Sequence, residues 1–226
     1  MANKKKQLVL PRKDKEGRYY ISYSQISKFK RSKRDYIRQY FFGEDTASEA
    51  LKKYGAFGHL IGEAFENNDY SAFEGDDLKF MKGVQKYDEF ERKIKLEMDG
   101  FYILGFIDSN THPTKTKKPY IKKILDYKTG DVDKKIGDYK STDYNQLEIY
   151  AAALKQEFGK LPDIAHVVLI GREGNAFKGE ELTLDRRIAI IERSMDQEVI
   201  DKALKEVQEI TEEISDLYQV FLKLQA

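Results

Sequence analysis

The uninterrupted apolar stretches of this chain, such as Phe101–Ile107 and Val167–Ile170, have the length of β-strands, far below the ~20 residues that cross a bilayer. Apolar surface must therefore be buried by short strands and amphipathic helices folding onto one another. Glu91–Glu97, Asp99-Gly100 and Phe101–Asp108 read as two strands joined by a tight turn. Tyr120–Lys128 reads as a third strand, ended by Thr129-Gly130, and Ile164–Gly171 as a fourth. Helical spacing falls between them. One helix opens with Ser22 or Ser24 as N-cap and carries an apolar stripe of Ile26, Phe29, Tyr36, Ile37 and Tyr40. Others run from about Leu51 to Asn67, over Thr142–Phe158, and over a long region from Asp185 to Leu224. This interleaving predicts an α/β domain with a central mixed sheet flanked by helices.

Charge is the second constraint. The 40 Lys and Arg nearly cancel the 39 Asp and Glu, leaving +1. The balance is uneven along the chain. Residues 1–40 hold 13 Lys/Arg against 3 Asp/Glu, and residues 180–226 hold 6 against 12. Tyr19, Tyr20, Tyr23, Phe29, Tyr36 and Tyr40 are interleaved with the basic residues. Cations meet phosphates and rings stack on bases, so this mixture suits a nucleic-acid strand, although a solvated basic helix face has the same composition. The chain contains no Cys, which excludes disulfides, Cys-ligated zinc, iron–sulfur clusters and thiol nucleophiles. The expected organisation is a basic flexible tail over 1–20, a domain over 21–180, and a helical extension over 181–226. That extension spaces Ala203, Val207, Ile210, Ile214, Leu217, Phe221 and Leu224 in a heptad seam, for packing on its own domain or for self-association or a protein partner. A soluble, cytoplasmic setting without membrane contact is expected.

Candidate chemistry concentrates in the middle of the chain. Side chains two apart on a strand share a face, so Asp126 and Lys128 project together while Leu125 and Tyr127 point the other way. If the strands ending at Asp108 and Lys128 pair, the two aspartates converge. Hard carboxylate oxygens suit Mg²⁺ or Mn²⁺. On the second helix His59, Glu63 and Glu66 fall on one side, opposite Tyr54, Phe57, Ile61 and Phe65. Gly55, Gly58 and Gly62 interrupt that helix, each costing about 1 kcal/mol against Ala. Gln146 and Tyr150 share a face of the next helix. Each piece also has a plain structural reading: a strand-end cap, a lysine paired with one aspartate, a surface histidine, a core tyrosine.

Taken in order, Ile21-Ser22-Tyr23-Ser24-Gln25-Ile26-Ser27-Lys28-Phe29, Gly55-x-x-x-His59, Gly105-Phe106-Ile107-Asp108, Leu125-Asp126-Tyr127-Lys128-Thr129-Gly130 and Gln146-x-x-x-Tyr150 resemble the RecB-type exonuclease branch of the PD-(D/E)xK nuclease superfamily. The resemblance spans about residues 21–171 and implies a restriction-endonuclease-like core. It implies that Asp108, Asp126 and the Tyr127 carbonyl ligate one or two Mg²⁺ or Mn²⁺ ions, that His59 ligates or orients metal, and that Lys128 is the catalytic lysine. Gln146 and Tyr150 would position the site and the scissile strand, and Glu63 or Glu66 would add a carboxylate. Ser24, Gln25, Lys28, Arg31 and Arg34 on the first helix would contact DNA, either single-stranded or as a duplex end, together with Tyr150. Ile107 stands where the family motif has proline. Ser32 stands where cluster-bearing relatives carry Cys, so no iron–sulfur cluster is expected. The segment after Asp108 is Lys-rich, with Lys115, Lys117, Lys118, Lys122 and Lys123, and reads as a DNA-contacting hairpin or a solvated loop. The implied activity is a DNA exonuclease of recombination, repair or phage DNA processing. The alternatives are a catalytically silent DNA- or protein-binding module on the same fold and a restriction-type endonuclease.

Overall fold

The structure, a computed structural model, describes residues 7–226. The basic run Lys4–Lys6 of the expected tail lies outside the described residues. The elements are β1 (Tyr20–Ser22), α1 (Tyr23–Arg31), α2 (Lys33–Tyr40), α3 (Glu49–Glu66), α4 (Gly75–Gly83), β2 (Glu89–Glu97), β3 (Tyr102–Asn110), β4 (Lys123–Gly130), α5 (Val132–Lys140), α6 (Gln146–Phe158), β5 (Ile164–Glu173), β6 (Thr183–Arg193) and α7 (Gln197–Gln225). The sheet runs β1-β3-β4-β5-β6, with β2 also paired to β3. β1 is parallel to β3 and β4 to β5, while β3 with β4 and β5 with β6 are antiparallel. The chain is therefore an α/β protein with a mixed six-stranded sheet flanked by helices and a long C-terminal helix, as the interleaved pattern predicts. Among the described residues no helix is long and apolar enough to cross a membrane.

Two compact units divide the chain: Met1–Thr46 with Ile94–Gly105 and Gln197–Ala226, and Ala47–Lys93 with Phe106–Asp196. In the first, Ser22 caps α1 with a capping box, its hydroxyl accepting from Gln25 N–H while the Gln25 side chain accepts from Ser22 N–H. The single helix expected here breaks at Ser32, which ends α1 and whose hydroxyl caps α2 by accepting the Asp35 N–H. Acidic α7 lies against the basic helices, with Lys30 2.6 Å from Glu206 and Lys33 2.5 Å from Glu213. Phe41 packs on Tyr218 and Phe221. The heptad seam is used inside this unit at Ala203, Val207 and Ile214, which are buried, and fades toward Leu224, 83% exposed. Leu8 and Leu10 are buried and Val9 N–H donates to Ser215 Oγ, so the flexible tail expected over 1–20 is anchored from Leu8 onward.

The second unit is built around one apolar cluster. Ile61, Ala64 and Phe65 of α3 meet Met81 of α4, Leu125 of β4, Val168 and Ile170 of β5 and Leu184 of β6. Five consecutive residues of β5, Val167–Gly171, are buried, the mark of a strand covered on both faces. The helix expected from Asp185 starts only at Gln197. Residues 183–193 form β6 instead, because the β-branched Ile188, Ile190 and Ile191 pair with Ile170, Val168 and Val167 of β5. Helices α4 and α5 fall where no helix is expected from periodicity.

Candidate active site

All the candidate catalytic side chains lie in the second unit. β3 and β4 pair at Asn110–Ile124 and Ser109–Leu125. One residue beyond that register the Asp108 side chain takes the place of a ladder bond: its Oδ2 accepts the Tyr127 N–H at 2.7 Å. A strand residue's N–H and C=O point to the same side, so the Tyr127 carbonyl also faces Asp108. The opposite face of β4 is anchored in the core. Leu125 is fully buried, the Tyr127 ring sits 4.5 Å from that of Phe65, and its hydroxyl donates to Gln85 O at 2.8 Å. Alternation therefore turns Asp126 and Lys128 together into the site.

Asp126 is 1% exposed and saturated with donors. Lys128 Nζ lies 2.5 Å from its Oδ2, the Tyr144 hydroxyl donates to the same oxygen at 2.9 Å, and Gln146 Nε2 donates to Oδ1 at 2.8 Å. Gln146 Oε1 in turn accepts from Lys128 at 3.3 Å, and Gln146 Nε2 lies 3.2 Å from the Tyr150 hydroxyl. The spacing of four along α6 brings Gln146 and Tyr150 together as expected. Burial works against the charge on Lys128, but the Asp126 and Asp108 carboxylates outweigh it and raise its pKa above the usual lysine value. Burial and the Asp126 charge push the Asp108 carboxyl up to about 7, against the pull of Lys128 and the Tyr127 N–H. Burial likewise raises the Tyr150 hydroxyl. Two carboxylates beside one ammonium offer hard oxygen donors, a donor chemistry that fits a hard divalent cation.

Tyr144, Glu91 and Arg193 of this cluster, and Arg172 beside it, escape the sequence reading. Tyr144 precedes α6 as an ordinary loop tyrosine. Glu91 sits inside β2 at φ 49, a left-handed backbone rare for a side chain of its size, and no pattern announces it. Partial desolvation and the charges of Glu66 and Asp126 raise its carboxyl, opposed by His59, so it links α3 to the two aspartates electrostatically. Arg193 and Arg172 are discussed below.

His59 is not brought into the carboxylate pair. It is exposed, with Nε2 3.0 Å from Glu63 on its own helix, and among the described residues no three His, Cys, Asp or Glu side chains stand close enough to hold a metal ion. The helix places it one turn from Glu63, and that i, i+4 contact takes its ring nitrogen. Of the candidate DNA contacts in the first unit, Gln25 is 1% exposed because it closes the α1 cap. The Ser24 hydroxyl bonds that of Ser22, and Lys28 bonds Gln39 and Thr46. Arg31 and Arg34 are exposed. The Lys-rich segment turns through a Pro113–Ile121 bridge with Lys115, Lys117 and Lys118 exposed.

No protein-family profile and no curated protein sequence matches the chain. Among solved structures it is similar to the crystal structure of a candidate exonuclease from Eubacterium rectale, at 15% identity and a TM-score of 0.49, over 90% of this chain and 82% of that one. A likeness at that level identifies neither family nor activity.

Proposed function

We propose that this protein is a divalent-metal-dependent nuclease that hydrolyses phosphodiester bonds in DNA, and specifically an exonuclease. One observation carries the reading: Asp108 on β3, Asp126 and Lys128 on β4, and Gln146 and Tyr150 on α6 converge on one buried carboxylate-containing cluster. Asp108, Asp126 and the Tyr127 carbonyl would hold one or two Mg²⁺ or Mn²⁺ ions, with Glu91 a further carboxylate within electrostatic reach. Bound there, the cation supplies a water of lowered pKa and neutralises phosphate charge. Lys128 is held protonated, so it serves as a donor to the attacking water or to the charge developing on phosphorus, not as a base. Gln146 grips Asp126 and Lys128 at once and fixes their spacing, while Tyr144 holds the second Asp126 oxygen. No covalent enzyme intermediate is needed. The exposed lysines after Asp108 would meet the DNA backbone, so binding weakens steeply with salt, and Arg31 and Arg34 are further candidate DNA contacts within the first unit.

The test is cleavage of end-labelled single- and double-stranded DNA with Mg²⁺ or Mn²⁺. Asp126→Ala and Lys128→Ala should each abolish it, as should a chelator. Unimpaired cleavage by either variant would refute the mechanism. Circular DNA left intact supports an exonuclease, whereas an internal cut assigns an endonuclease.

A further inference from the structure

Beside Lys128 the second unit opens a cavity of about 390 Å³, lined among others by Tyr54, Gly55, Gly58, Tyr139 and Arg172. Arg172 belongs to no part of the catalytic cluster. Its guanidinium carbon lies 4.0 Å from the Tyr54 ring centroid, and its Nε is buried with no hydrogen-bond partner. The other arginines of this neighbourhood are neutralised at contact distance, Arg187 by Asp133 and Asp185 and Arg193 by Glu148. Arg172 makes no ion pair among the described residues, and Asp131 reaches it only at longer range. A buried guanidinium donor without an acceptor is costly and calls for a partner.

The backbone around Arg172 is irregular. The β5–β6 register jumps from Ile170–Ile188 to Arg172–Leu184, the extra residues of β6 include Arg186 at φ 57, and the Asp185 carboxylate fills the space where a Gly171 Cβ would stand. Such bulges re-aim the side chain that follows. The turn after β5 is held against α3 by Tyr54, whose hydroxyl accepts the Ala176 N–H at 3.0 Å and donates to Asn175 Oδ1 at 3.3 Å. That turn presents Phe177, 66% exposed, 5.8 Å from the Tyr54 ring. Among the described residues nothing stands within 4 Å of where a Gly55 Cβ would be, so the helix surface at that glycine is open to the cavity.

We infer that Arg172, Tyr54 and Phe177 form a subsite for single-stranded DNA adjoining the scissile bond, Arg172 taking one backbone phosphate and the aromatic pair taking a base. This rests on the nuclease reading above and assigns the part of the substrate that the catalytic cluster does not touch. A phosphate in the cavity would neutralise the Arg172 guanidinium, which has no carboxylate at contact distance, and the exposed Phe177 ring beside Tyr54 is a stacking platform.

The experiment is fluorescence anisotropy of a labelled oligo-dT in EDTA, across a salt series, with cleavage in Mg²⁺ measured in parallel. Arg172→Gln should weaken binding about tenfold and reduce the slope of log affinity against log salt by about 0.7, the loss of one phosphate contact on a single strand. Phe177→Ala, at an exposed position, should weaken binding about tenfold with the salt slope unchanged. In cleavage both should raise KM far more than they lower kcat. Wild-type affinity and slope in both variants would overturn the subsite, whatever the cleavage result. Wild-type protein that binds with this pattern but never cleaves would instead overturn the nuclease reading and keep the subsite.

Discussion

Arg193 and Lys128 are both largely buried cations that face helix α6, yet their surroundings carry opposite surpluses. Arg193 meets one carboxylate, Glu148, at 2.7–2.8 Å, and spends its remaining donors on the backbone carbonyls of Tyr139, Ser141 and Tyr144. One positive charge balances one negative, and the guanidinium is filled. Lys128 meets Asp126 directly and Asp108 through space, with Glu91 adding a third negative charge to the same field. Burial first, and then the neighbouring Asp126 charge, push Asp108 up to about 7 there. The closed cluster fastens the loop between α5 and α6. The open one has electrostatic room for a ligand. They are also connected, because Arg193 holds the Tyr144 carbonyl while the Tyr144 hydroxyl holds Asp126.

If this contrast is right, breaking the closed cluster should cost stability first. Arg193→Met strands Glu148 and should lower unfolding free energy by about 3–5 kcal/mol, with much of it recovered in the Arg193→Met/Glu148→Gln pair. Urea denaturation of these two variants and of Glu148→Gln alone measures this, and additivity of the two changes would show that the ion pair is not the cause. Filling the open cluster should do the reverse. Mg²⁺ at 100 times its Kd should stabilise the wild type by about 2.7 kcal/mol, an upward Tm shift of some 5–10 °C. The shift should vanish in Asp126→Ala, and a shift retained there would place the ion elsewhere.

Next in size, Asp108→Asn removes one of the repelling charges. The apo protein should keep its stability or gain about 1 kcal/mol, while cleavage falls at least about a hundredfold. Loss of stability in calorimetry would mean that Asp108 is structural. The smallest effect concerns His166, a half-buried imidazole whose Nδ1 has no partner and whose pKa burial lowers below 6.5. The unfolded chain binds that proton more readily, so its contribution is complete above pH 6.5 and is lost as pH falls through the lowered folded value. Comparison of wild type with His166→Gln cancels the other titrating groups. Parallel stability curves from pH 7.5 to 5 would refute it.

Much of the candidate arrangement is legible in the sequence. Period-two alternation alone placed Asp126 and Lys128 on one face of β4, and helical spacing placed Gln146 beside Tyr150. The misses have specific causes. Ile188, Ile190 and Ile191 suit either a helix or a strand, and pairing with β5 decided for the strand. His59 lies on the expected helix face, where it pairs with Glu63. Glu91 depends on a positive φ that no residue pattern encodes. Tyr144, Arg172 and Arg193 are isolated in sequence and gain meaning only from what surrounds them.

The sequence by itself therefore determined the strands around the site, helix α6 and which of their side chains share a face, since those follow from backbone periods of two and 3.6 residues. Tertiary structure decided the charge balance. Whether a cation finds one carboxylate or two, or a buried guanidinium finds none, depends on how the β4–α6–β5 crossover and the β5–β6 bulge bring distant residues within a few ångströms, where Coulomb energies in a low-dielectric interior become decisive.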